Sequence, residues 1–166
     1  MKTILLTGSN GLLGQKLVHL IKERKDYHLI ATSKGSNRIT DQEGYEYSSL
    51  DITDKEEVEQ IFQKHQPDIV INTAAMTNVD ACESDKEGSM ALNVTAVEYL
   101  IEECKKYSSH LIHLSTDFIF DGFFLQITSL GQVVQFLSDG IGGFSKLLRQ
   151  APQVAIVVGI DKKLDQ

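Results

Sequence analysis

The chain has 166 residues, a formal net charge of −7, 42% hydrophobic and 23% charged residues, the make-up of one soluble globular domain. The acidic balance argues against a nucleic-acid partner, which needs a concentrated positive face, and no run nears the roughly 20 apolar residues of a membrane span. Five scattered histidines show no metal-ligand spacing, and two cysteines, Cys82 and Cys104, are too few for a disulfide framework. Met1-Lys2 leads straight into a strand pattern without a secretory signal, so the expected location is cytoplasmic.

In chain order, Thr3–Thr7 reads as a buried strand. Leu12, Leu13, Leu17, Val18, Leu20 and Ile21 then recur at helical spacing with charges between them. His28–Thr32 is a second strand and Tyr45–Leu50 a weaker third. Thr53 is expected to cap the next helix, with Glu56 as capping-box partner and Asp54 adding favourable charge to the first turn. Val58, Ile61 and Phe62 form its apolar face. Asp68–Asn72 is a fourth strand, and Met90, Val94, Val97, Ile101 and Cys104 mark one long amphipathic helix. His110–Ser115 is the fifth strand. Beyond Gly122 the pattern weakens: Phe123–Leu130 has no clean period, Val133–Leu137 and Val154–Val158 fit strands, and Gly140, Gly142 and Gly143 cluster as a turn.

Alternation of this kind predicts an α/β fold: a doubly wound parallel sheet of Rossmann type, covered on both faces. Residues 1–122 form the expected dinucleotide-binding domain, and 123–166 an atypical or incomplete C-terminal segment. Ligands of such sheets sit beyond the carboxyl ends of the strands.

Thr7-Gly8-Ser9-Asn10-Gly11-Leu12-Leu13-Gly14 follows the first strand and opens the first helix. Gly8 permits the tight turn, Gly11 lets the backbone approach a pyrophosphate, and Gly14 lets helix and strand pack closely. Free amides and the helix dipole then favour the anion, with Gly8 to Leu13 as its surroundings. A plain strand-turn-helix is the competing reading. After the second strand, Ala31-Thr32-Ser33-Lys34 offers no carboxylate for ribose hydroxyls. Ser33 and Lys34, with Arg38 nearby, suit a 2′-phosphate, which favours NADP(H), with NAD(H) as the alternative. Asp51-Ile52 is placed either to accept from an adenine amino group or simply to turn the chain before Thr53. Asn72-Thr73-Ala74-Ala75 ends the fourth strand with residues small enough for close passage of a cofactor or simply for plain packing, and Ser115-Thr116-Asp117 puts a hydroxyl near the same cleft.

Together, TGSNGLLG (Thr7–Gly14), LDITD (Leu50–Asp54), INTAAMTNVDACE (Ile71–Glu83), ALNVTAV (Ala91–Val97) and LSTDFIFDG (Leu114–Gly122) resemble the extended short-chain dehydrogenase/reductases, in the branch of the dTDP-4-dehydrorhamnose reductases. The resemblance implies NAD(P)H-dependent reduction of a 4-keto-6-deoxy nucleotide sugar, in deoxysugar synthesis for surface polysaccharide. It implies contacts of Gly8, Gly11 and Leu12 with the pyrophosphate, of Asp51 and Ile52 with adenine, and of Ala74, Ala75 and Thr77 along the path to the nicotinamide. Val79, Asp117 and Phe118 would meet the sugar, Thr116 and Lys146 would serve catalysis, and Asn93 would be a structural asparagine of the central helix. A homodimer fits the family.

The family also needs a tyrosine four residues before that lysine, whose phenol the lysine brings towards a working pKa. Gly142-Gly143-Phe144-Ser145-Lys146-Leu147 resembles that motif, but Gly142 stands at the tyrosine position and all five tyrosines precede Thr116. Three expectations compete: a longer chain with parts omitted or misassigned, a fragment, and a catalytically silent relative serving as a regulatory or scaffold subunit.

Overall fold

A computed structural model describes residues 1–115 and the strand Val154–Val158. Six strands form one sheet: β1 (Lys2–Thr7), β2 (Tyr27–Ser33), β3 (Glu46–Ser49), β4 (Ile69–Asn72), β5 (His110–Ser115) and β6 (Val154–Val158). Their order is β3-β2-β1-β4-β5-β6, and every adjacent pair is parallel. The predicted doubly wound sheet is therefore present, and its switch point falls between β1 and β4. Ile4, Leu5 and Leu6 are buried in succession, as expected of a strand covered on both faces.

Helices cover the two faces unequally. On one side α1 (Leu12–Lys22) sets Val18 and Ile21 against Ile4, Leu6, Leu29 and Ala31. Its predicted apolar stripe was too wide. Leu12 is 82% exposed and Leu20 67%, and Leu13 is exposed as well. Gly14 takes the packing position in the first turn instead, because the strand-to-helix turn passes too close for a side chain.

On the other side α2 (Lys55–His65) and α5 (Ala96–Tyr107) pack Val58, Ile61, Phe62, Val97, Leu100 and Ile101 over Leu5, Ile30, Val70 and Leu111. The cap of α2 is Asp54, not the predicted Thr53. Its carboxylate accepts from the amides of Glu56 (2.9 Å) and Glu57 (3.2 Å), worth about 1 kcal/mol. Thr53 instead donates its amide and hydroxyl to Asp51 Oδ1, closing a local turn before the helix.

The long helix predicted from Met90 is present and unbroken, although it passes through a π-turn, with Met90, Ala91, Thr95 and Ala96 all in right-handed helical backbone. Two short helices, α3 (Val79–Ser84) and α4 (Lys86–Met90), bury no residue, which is why no periodicity announced them. A π-turn over Ala91–Thr95 then leads into α5. Met90 is 58% exposed, but Ala96, Val97, Leu100, Ile101 and Cys104 enter the core as the spacing required. Burial pushes the Cys104 thiol up to about 12, so this free cysteine behaves as a small hydrophobe.

The strand expected at Val154–Val158 pairs with β5. Phe123–Leu130, Val133–Leu137 and the Gly140–Gly143 cluster lie outside the described residues. Among the described residues no helix is long and apolar enough to cross a membrane, and no His/Cys/Asp/Glu group could hold a metal ion.

Candidate cofactor-binding site

The carboxyl ends of the strands are tied by a buried polar row. Register places Thr32, Thr7, Asn72 and His113 side by side across β2, β1, β4 and β5. All four are buried, and each stands two residues past a core residue of the α2/α5 face. Asn72 Oδ1 accepts from the Thr7 hydroxyl (2.5 Å) and the Ala74 amide (3.1 Å), which identifies that atom as the oxygen. The Asn72 amide nitrogen therefore donates to His113 Nδ1 at 3.0 Å, so the His113 proton sits on Nε2. Thr73 adds a hydroxyl bond to the Thr7 carbonyl at 2.7 Å.

Burial lowers the His113 pKa from 6.5 to about 4, so the ring is neutral in the fold. A depressed histidine pKa means that its stabilising contribution is complete above pH 6.5 and is lost as pH falls from there through about 4. Two and a half units correspond to about 3 kcal/mol. His113→Gln keeps an acceptor for Asn72 but cannot titrate, so its urea stability should fall about 3 kcal/mol less than wild type between pH 7 and pH 4. Equal losses in both proteins would refute this assignment.

Above the row runs the glycine loop. Gly8 adopts φ +74°, and a Cβ there would lie 2.6 Å from the Ala74 nitrogen. The β1 and β4 loops are therefore in direct backbone contact. The Gly11 amide closes a turn on the Gly8 carbonyl at 3.0 Å. Gly11 is the cap residue of α1 and supplies no side-chain bond to its first amides. Those of Leu12 and Leu13 thus have no cap partner, the condition in which a helix start attracts an anion.

Two loop residues are held from within the protein. Ser9 is fully buried beneath the loop, and its amide goes to the Thr32 carbonyl at 2.9 Å. Asn10 spends its side chain inside the protein, donating to the Ser36 carbonyl and accepting from the Arg38 amide, both at 2.9 Å. It thereby ties the glycine loop to the segment after β2. Among the described residues the Ser9 hydroxyl has no partner, so Ser9→Ala should leave stability unchanged or raise it by about 1 kcal/mol. A thermal melt showing a loss of similar size would instead mean that the hydroxyl is bonded through water.

A groove of about 280 Å³ opens at this edge. It is lined by Gly8, Gly11, Ser33, Lys34, Asp51, Ile52, Thr73, Ala74 and Ala75, all singled out from sequence, and by Leu50 and Leu92, which were not. Lys34 Nζ reaches Asp51 Oδ2 at 2.5 Å. Burial pushes the Asp51 carboxyl upward, but hydrogen bonds from Lys34 and Thr53 outweigh it and the net shift is downward. The bond to Asp51 holds the Lys34 ammonium above its ordinary value.

Asn93 projects from the π-turn and brackets Met76, accepting from its amide at 2.8 Å and donating to its carbonyl at 3.0 Å. The chain leaving β4 is thus held on its way past the groove. The π-turn carries the Ala96 amide back to the Ala91 carbonyl, one residue further than an α-turn, an irregularity common near functional sites. Thr77 and Val79 lie exposed beyond this bracket and do not line the groove. Thr116, Asp117, Phe118, Gly142 and Lys146 lie outside the described residues.

The model of the RmlD substrate binding domain matches residues 1–128. The chain belongs to that family. Among RmlD relatives, the dTDP-4-dehydrorhamnose reductase of Aggregatibacter actinomycetemcomitans is 34% identical over 123 residues, covering 74% of this chain and 37% of that protein. A probable low-salt glycan biosynthesis reductase of Haloferax volcanii is 39% identical over 117 residues, covering 70% of this chain and 38% of the relative. The chain therefore spans well under half the length of these curated proteins. Among solved structures, L-threonine dehydrogenase of Clostridium difficile aligns with TM-score 0.62 and 27% identity, covering 70% of this chain and 37% of the other. UDP-glucose 4-epimerase of Thermus thermophilus, solved with NAD, aligns with TM-score 0.70 over 94% of this chain and 53% of its own. At 20% identity that likeness speaks for the RmlD chain's fold alone.

Proposed function

We propose that this chain is the dinucleotide-binding part, residues 1–122, of a short-chain dehydrogenase/reductase that reduces the 4-keto group of a dTDP-linked 6-deoxysugar with NADP(H), NAD(H) being the alternative. The observation that carries this reading is the groove at the switch point. Its floor is glycine backbone, it adjoins uncapped helix amides, and a cation and a carboxylate stand at one end. These donors fit a dinucleotide: Gly8 and Gly11 line the groove as bare backbone, and a Cβ at Gly11 would stand 3.3 Å from the Gly8 carbonyl.

The amides near Gly8, Gly11, Leu12 and Leu13 bind the diphosphate, Ser33 and Lys34 the 2′-phosphate, and Asp51 and Ile52 the adenine. Ala74 and Ala75 leave room for the nicotinamide half, with Thr77 further along the same path, while Asn93 keeps the Met76 backbone from closing over it. The bound cofactor supplies the hydride. Thr116 polarises the sugar carbonyl and helps hold the developing oxyanion. Lys146 serves catalysis, and Val79, Asp117 and Phe118 contact the sugar. A cytoplasmic homodimer acting on a nucleotide sugar completes the proposal.

Gly142 supports a second reading, a catalytically silent NADP-binding regulatory or scaffold subunit, because a glycine cannot donate the proton a tyrosine supplies. One experiment separates the two. NADPH binding by the chain, seen as a concentration-dependent rise in melting temperature, is assayed beside NADPH oxidation with a dTDP-4-keto-6-deoxysugar. Binding with turnover supports the reductase, and binding without turnover supports the silent subunit. No binding of either dinucleotide overturns both.

A further inference from the structure

The ion pair between Lys34 and Asp51 crosses one end of the groove, and both residues line it. Lys34 is 80% exposed on its own account, so its ammonium is free to swing, while Asp51 is 22% exposed and fixed. Asp51 Oδ1 is committed to the amide (3.0 Å) and hydroxyl (2.7 Å) of Thr53. Its backbone amide is held by Glu57 Oε2 at 2.8 Å. Only Oδ2 faces Lys34. One anchored carboxylate oxygen therefore holds the one cation that lines the groove among the described residues.

We propose that Asp51 sets the dinucleotide preference of this groove by competing with a 2′-phosphate for Lys34. The inference rests on the reading of the groove as a dinucleotide site. With a phosphorylated ribose, Lys34 exchanges one anion for another, and the charge on Asp51 has to be given up first. With an unphosphorylated ribose, Lys34 has no reason to leave. Asp51 thus lowers the advantage that Lys34 confers on NADP(H), and the chain accepts both dinucleotides with modest discrimination. Asp51 acts on the phosphate through Lys34, as a specificity-determining positioning residue.

The test is the ratio of dissociation constants for NADPH and NADH, measured by titration calorimetry on the chain and its variants. The ratio cancels whatever a variant does to adenine or diphosphate binding, which the two ligands share. Lys34→Met should cost NADPH about tenfold in affinity, the loss of one charge-assisted bond, and leave NADH nearly unchanged. Asp51→Asn keeps the acceptor for Thr53 but removes the charge, and should shift the ratio about threefold towards NADPH, the scale of an exposed ion pair. Asp51→Ser, which also keeps an oxygen for the Thr53 amide, should do the same. In Lys34→Met/Asp51→Asn the Asp51 effect should vanish. If Lys34→Met lowers the ratio but neither Asp51 variant raises it, the competition is refuted and the NADP(H) reading stands. If Lys34→Met leaves the ratio unchanged, Lys34 does not meet the phosphate and both fall.

Discussion

Gly14→Ala is expected to destabilise the protein by about 3 kcal/mol and to weaken NADPH binding by about 100-fold. In an ordinary helix the same change stabilises by about 0.5–1 kcal/mol, because alanine loses less conformational freedom on folding than glycine. Here the sign reverses. A Cβ at residue 14 would lie 2.2 Å from the Gly8 carbonyl oxygen and 2.7 Å from Ser9 Cα. Those neighbours are backbone atoms, so neither can turn aside as a side chain would.

Relief requires α1 to lift from the loop, and lifting it moves the amides proposed to hold the diphosphate. Gly11→Ala is the control: φ there is −74° and the nearest contact of the added methyl is 3.3 Å. Stability should change by less than about 1 kcal/mol while NADPH affinity falls, because Gly11 lines the groove. Urea denaturation and NADPH titration of both variants decide the matter. A Gly14→Ala protein as stable as wild type would refute the packing argument.

Asn72→Ala is expected to cost about 4 kcal/mol, since each stranded buried polar group costs roughly 1–3 kcal/mol and the terms are not additive. The Thr7 hydroxyl, the Ala74 amide and His113 Nδ1 would all lose their partner. Water has little room to replace the amide, because Thr7 and Asn72 are fully buried. The same change should loosen the contact between Gly8 and the Thr73–Ala74 backbone, so NADPH affinity should fall along with stability. Chemical denaturation at pH 7 is the measurement. A loss below about 1 kcal/mol would mean that the row is not a connected network.

Much of the site was visible in the chain before any coordinates. The glycine spacing, Ser33-Lys34, Asp51-Ile52 and the alanine pair each follow a strand, and such strand ends must meet at one edge of a parallel sheet. Asn72 was marked only as a small strand-end residue and His113 was not singled out, although a signal existed: Thr7, Thr32, Asn72 and His113 are each the polar residue two positions beyond a core residue in their own strand. Setting the strand ends side by side would have revealed the row. Leu50 and Leu92 gave no such signal, because a leucine beside a groove reads the same as a leucine in a core.

Local errors have a common cause. Thr53 and Asp54 are both good caps, and which one serves depends on Asp51, which takes the Thr53 amide and hydroxyl for itself. The exposed leucines of α1 look like core at helical spacing, yet the stripe that packs is narrower, because the first turn must leave room for the Gly8 carbonyl.

From its sequence alone the chain determined the alternation of strands and helices, the parallel sheet and the edge at which a ligand would sit. These depend on hydrophobic period and glycine placement, both local in the chain. Tertiary structure decided which polar groups face one another: Asn72 between Thr7 and His113, Lys34 on Asp51, Asn93 around Met76, and Asn10 around the Ser36–Arg38 segment. Those partners stand between 17 and 65 residues apart. Hydrogen bonds and ion pairs depend on ångström distances that only the packed sheet sets, whereas burial of an apolar face is nondirectional and tolerates error in its surroundings.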